Sequence, residues 1–104
     1  MIKKVTKVGD ILAYIGSSAL QTSVAGAEVI PVSPVGWTIG YSLHKFSFVN
    51  LDNCTVVIND GDAVYIPANQ GFNTQIGDIP IESFRIVEGG IRFNWIGMYK
   101  RVVI

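Results

Sequence analysis

Three polar acceptors surround one glycine in VVINDGDAVYIPANQGF, residues 56–72: Asn59, Asp60 and Asp62 around Gly61. Oxygen ligands this close together are what a calcium loop uses. An EF-hand loop, however, sets its acids at alternate positions, a glycine at the sixth and a glutamate at the twelfth. Counted from Asn59, the twelfth residue is Gln70. The segment fits a hairpin turn better, because Asp-Gly favours a type I′ turn with positive φ at both central residues. Asp60 and Asp62 then solvate a turn and do no acid–base work.

The other reactive residues are few. Cys54 and His44 are each the single member of their type. A thiolate nucleophile needs a base or cation beside it, and no local motif joins these two. Cys54 falls in phase with Val56 and Ile58, which reads as a small buried hydrophobe. His44, between Leu43 and Lys45, reads as a partly exposed strand start. A zinc site needs three or four ligands, more than one His and one Cys supply. No phosphate-binding glycine loop or dinucleotide fingerprint occurs. The residues therefore predict no enzyme, no metal and no cofactor.

The second half alternates with period two, the pattern of half-buried antiparallel strands. Phe46 and Phe48 share one face, as do Cys54, Val56 and Ile58. Val64 and Ile66 follow, then Phe84 and Ile86, then Ile91, Phe93, Trp95 and Tyr99. Turn signals at 51–53, 59–62, 68–71 and 88–90 separate the runs. These features predict an all-β fold, an antiparallel β-sandwich of jelly-roll type over residues 36–104. Its interior would hold Phe46, Phe48, Val56, Ile58, Val64, Ile66, Phe84, Ile86, Phe93 and Trp95. Trp37, Tyr41, Tyr65, Trp95 and Tyr99 read as core or oligomer interface, with a carbohydrate platform as the alternative.

Residues 1–35 differ and read as an extended N-terminal arm or interaction segment. Small residues dominate 16–27, GSSALQTSVAGA, and bury little apolar area. A short helix capped by Asp10 competes with an extended chain here. Pro31 and Pro34 favour extended backbone after it.

The 104 residues suffice for one domain with one core. No apolar run approaches the ~20 residues of a membrane span, and the N-terminus lacks the apolar stretch of a secretory signal. A soluble, cytoplasmically made protein is expected. Net charge is zero but unevenly placed. Lys3, Lys4 and Lys7 precede the first acid, whereas 46–84 carries five acids and no Lys or Arg. A nucleic-acid binder would show a continuous basic face, so neither nucleic acid nor membrane is an expected partner.

The order FVNLDNCTVVINDGDAVYIPANQGF … IPIESFRIVEGGIRFNWIGMY resembles small virion structural proteins of tailed bacteriophages. Asn50, Cys54, Asn59, Gly71, Phe84, Glu88, Gly90 and Trp95 are among the matching residues, across about 45–99. The resemblance implies a non-enzymatic capsid- or tail-associated β-protein, located in the virion and made in the bacterial host cytoplasm. It further implies a homo-oligomer, with a trimer the first expectation, that meets capsid or other virion proteins. A receptor- or glycan-binding module, reading host-surface glycan, is the alternative. The expected partner-binding residues are Lys3, Lys4 and Lys7, suited to an acidic protein surface, and Ile11, Leu12 and Tyr14, able to add a strand to a sheet edge. The competing expectation folds this arm back as an edge strand of its own sheets or swaps it onto a neighbour.

Overall fold

Alternating side chains can bury one face only if their strands lie side by side, and in the computed structural model they do. It describes residues 11–31 and 42–101. Eight strands occur there: β1 (Ile11–Gly16), β2 (Gln21–Thr22), β3 (His44–Asn50), β4 (Cys54–Ile58), β5 (Ala63–Ile66), β6 (Phe72–Asn73), β7 (Phe84–Ile86) and β8 (Arg92–Arg101). The described residues contain no helix, so none is long and apolar enough to cross a membrane. All ladders are antiparallel. One sheet has the order β1-β8-β3-β6, with β2 also on β8; the other has the order β5-β4-β7.

Two long segments hydrogen-bond along one sheet and then the other. The first is 11–30. Gly16 lies opposite Ile96 and Gln21 opposite Phe93, so the chain takes five steps against three on β8. Residues 17–20 bulge to absorb the excess. Beyond β2 the segment moves to the flank of β7, where Gly26 N–H donates to the Ile86 carbonyl and Val29 N–H to the Phe84 carbonyl, both at 2.8 Å. The second is 72–86. It follows β3, with Leu43 and Ile81 exchanging backbone hydrogen bonds of 2.8 and 2.7 Å, and then enters β7.

The core sits where aromatic faces of the two sheets meet. Phe84 of β7 lies 5.0 Å from the Phe46 ring and 4.7 Å from the Phe48 ring. Phe93 and Trp95 of β8 extend the cluster. Leu43, Cys54, Val56 and Ile86 are buried around them. Each such aromatic side chain taken out of water stabilises the fold by roughly 1.5–3 kcal/mol.

Three local expectations need correction. Val64 is 49% exposed, not interior. It pairs with Val56, but among the described residues β5 ends its sheet, so no described strand flanks Val64 on its other side, whereas Val56 is flanked by both Val64 and Ile86. Ile58 is only partly buried. The helix alternative after Asp10 gives way to strand β1, where Ile15 packs against the core and Tyr14 faces solvent. Trp37 and Tyr41 lie outside the described residues, as does the expected boundary at 35/36.

Candidate functional site

The glycine turn comes first, because it held the densest chemistry. Positive φ falls on Asn59 (50°) and Asp60 (58°), and Gly61 N–H closes the turn on the Ile58 carbonyl at 2.9 Å. The expected turn type, with both central residues at positive φ, is therefore present but centred one residue early, on Asn59-Asp60. Gly61 itself does not have positive φ. The Asn59 side chain fixes this choice. Its Nδ2 donates to the Pro80 carbonyl at 3.0 Å, and its Oδ1 accepts from Glu82 N–H at 2.7 Å and Ser83 N–H at 3.1 Å. Asp60 pairs with Arg85 at 2.8 Å. Among the described residues, no three His, Cys, Asp or Glu side chains gather in a way that could hold a metal.

Cys54 is buried on β4, inside the core. Burial, and then the negative charges of Glu88 and Asp52, push its thiol up to about 11. That is the opposite of what a nucleophilic cysteine requires. His44 starts β3 in the other sheet, partly exposed and opposite Met98.

The polar side chains with the most hydrogen bonds hold loops. Asn50 is 0% exposed and makes the largest such set. Its Nδ2 donates to the carbonyls of Asp52 (2.9 Å), Ile66 (3.2 Å) and Pro67 (2.9 Å), and its Oδ1 accepts from Gly71 N–H at 2.9 Å. Gly71 has φ of 69°, and a Cβ there would stand 2.6 Å from the Phe48 carbonyl oxygen. Sequence reading missed Asn50 as a clamp; its signal was a polar residue in phase with Phe46 and Phe48 on an inward face. Glu88 accepts from Thr55 N–H and the Thr55 hydroxyl, both at 2.7 Å. Burial would raise its carboxyl, but the Thr55 hydrogen bonds prevail and hold it below the usual range. Glu28 does the same work on the sheet-switching segment, accepting from the Ser83 hydroxyl and Phe84 N–H. Asp52 binds Arg92 through Nε, Nη2 and the backbone N–H. These bonds hold the Asp52 carboxyl down at about 2.

The expected partner-binding residues divide. Lys3, Lys4 and Lys7 lie outside the described residues. The backbones of Ile11 and Leu12 pair with Arg101 and Lys100 of β8, and Tyr14 is 59% exposed opposite Met98. The outer face that carries Tyr14 continues through cross-strand neighbours Ile96, Ser47 and Asn73, and through Asn94 and Val49. A shallow hollow of about 290 Å³ opens on it, lined by Ser17, Leu20, Ser47, Val49, Asn94 and Ile96. A second hollow of about 490 Å³ lies by the turn, among Ile58, Phe72, Ile79 and Ile81. No family model, curated protein or solved structure matches this chain.

Proposed function

We propose that this chain is a non-enzymatic structural protein of a bacteriophage virion, a capsid decoration, head-fibre or head–tail accessory protein present in several copies. In this reading the two sheets form a jelly-roll-type sandwich that displays its outer faces. The observation that carries it concerns the residues of the phage-like pattern. Asn50 and Gly71 close one loop, Asn59 sets the hairpin turn, Glu88 ties β4 to the chain after β7, and Cys54, Phe84 and Trp95 fill the core. The pattern thus specifies a rigid frame, which suits a protein whose product is a shape. Tyr14 and Tyr65, the exposed tyrosines described, belong to different sheets. They do not share a sugar-stacking platform, so the glycan-binding alternative gains no support from them.

The docking element in this reading is the lysine-bearing tip, Lys3, Lys4 and Lys7, while β1 belongs to the sheet. Co-sedimentation of the purified chain with assembled particles tests the proposal. Removing residues 2–10 should abolish co-sedimentation while the shortened chain still unfolds cooperatively. Attachment should weaken as salt shortens the Debye length to ~8 Å and below. A chain that never sediments with particles, or a truncated one that still does so normally, refutes the corresponding part.

A further inference from the structure

Gly61 follows Asp60, and nowhere else in the chain does a glycine follow an aspartate or an asparagine. The backbone nitrogen after an aspartate can attack that residue's own carboxyl carbon, and glycine hinders the approach least because it has no side chain. With the carboxyl protonated, its hydroxyl and the amide hydrogen leave together as water, and the new N–C bond closes a five-membered succinimide. Solvent water then reopens the ring. Addition at the former side-chain carbonyl restores aspartate. Addition at the backbone carbonyl gives isoaspartate, in which the chain runs through the former side chain and is one carbon longer. No electrons are transferred, and water is the only other reactant.

In the folded turn both reacting groups are engaged. Gly61 N–H donates to the Ile58 carbonyl at 2.9 Å, a bond that the attack must break. The Asp60 carboxylate is turned onto Arg85 of β7 at 2.8 Å. The site is nonetheless open to water, with the Asp60 side chain 74% exposed. It is also strained, because Asn59 and Asp60 both hold positive φ and neither is a glycine. The Asn59 side chain holds that strain through its bonds to Pro80, Glu82 and Ser83. Beyond the turn, Ala63, Val64 and Tyr65 of β5 are all exposed, and a segment with so little buried opens before the core does. We propose that Asp60–Gly61 is a site of spontaneous isoaspartate formation, reached by local opening of this turn, and that Asn59 and Arg85 set how often it opens. The extra carbon does not fit a turn closed by Gly61 N–H on Ile58, so each modified chain has a weaker β4–β5 hairpin. The inference is independent of the virion reading.

The full chain is incubated at neutral pH, sampled over weeks and digested. Isoaspartate is read by its enzymatic methyl-esterification and by chromatographic separation of the two peptide isomers. It should accumulate at residue 60 before Asp52, Asp62 or Asp78, and at least ~10-fold more slowly in the folded chain than in the same chain kept unfolded in urea. Asn59→Ala, which removes three hydrogen bonds, should raise the folded rate at least ~10-fold. Arg85→Gln should raise it less, and neither should change the rate in urea. Arg85→Gln also serves where Asn59→Ala does not fold. Gly71→Ala weakens a different loop and should leave the folded rate unchanged. Chains enriched in isoaspartate should unfold at lower urea than fresh ones. Equal rates in the folded and unfolded chain, first modification at another aspartate, no acceleration by Arg85→Gln, an equal acceleration by Gly71→Ala, or a modified chain as stable as the fresh one overturns the proposal.

Discussion

Replacing Asn50 with alanine removes the side chain that holds the turn after β5. Its amide has two protons and faces three carbonyls, so one proton is shared, while its oxygen takes the Gly71 N–H. Each hydrogen bond contributes a net ~0.5–1.5 kcal/mol, and a buried partner left unmade costs ~1–3 kcal/mol. Pro67 and Gly71 are only partly buried and can recover some hydration. The Ile66 carbonyl, bonded to a fully buried amide, recovers less. The sum for Asn50→Ala is therefore about 3–4 kcal/mol, a large share of a typical ~5–15 kcal/mol total. In a domain this size that lowers Tm by roughly 12–30 °C. Asn50→Asp separates bonding from volume. It keeps the shape but turns an acceptor-only carboxylate toward three carbonyls, so it should be worse than alanine at pH 7. Below the carboxyl's own pKa it regains one donor and should recover in part. Urea unfolding of the three proteins at pH 7 and near pH 4 measures this. A cost under ~1 kcal/mol for alanine, or an aspartate variant as stable as wild type at pH 7, would refute the clamp.

Gly71→Ala should cost at least ~1–2 kcal/mol, because it combines positive φ with a Cβ against the Phe48 carbonyl. Gly61→Ala should cost less, since Gly61 lacks positive φ and its Cβ, though tight at 3.1 Å from the Ile58 carbonyl oxygen, stands farther off than the 2.6 Å at Gly71; equal losses in thermal melts would contradict the shifted turn. Phe84→Ala should cost about 3–5 kcal/mol by chemical denaturation, as its ring joins the aromatic clusters of both sheets. Asp52 and Glu88 are both held below their unfolded pKa values. Their contribution is present above the ordinary carboxylate range and is lost as pH falls, for Asp52 between about 4 and about 2. Arg92→Gln should flatten the Asp52 part of a stability-versus-pH curve; an unchanged curve would remove Arg92 as its cause.

The strands and most of the core follow from the sequence by itself. Period-two alternation is a local property, and once a strand forms it puts Phe46 with Phe48 and Phe84 with Ile86 whatever lies opposite. The inert reading of Cys54 was legible for the same reason, from its phase with Val56. Tertiary structure decided the rest. Val64 has the same alternation as Val56, and only the order β5-β4-β7 puts it on the end strand among the described residues. The turn type could be read from its residues, but its centre was set by Asn59 bonding to 80–83, a contact more than twenty residues away. The small residues of 16–27 showed only that this stretch buries little apolar area. Tertiary structure lays its first residue tightly on β8, where a Cβ on Gly16 would collide with the Trp95 carbonyl oxygen. The outer face around Leu20, Val49 and Ile96 could not be read at all, because these residues are far apart in sequence and meet only through the pairing of the first two strands and β3 with β8.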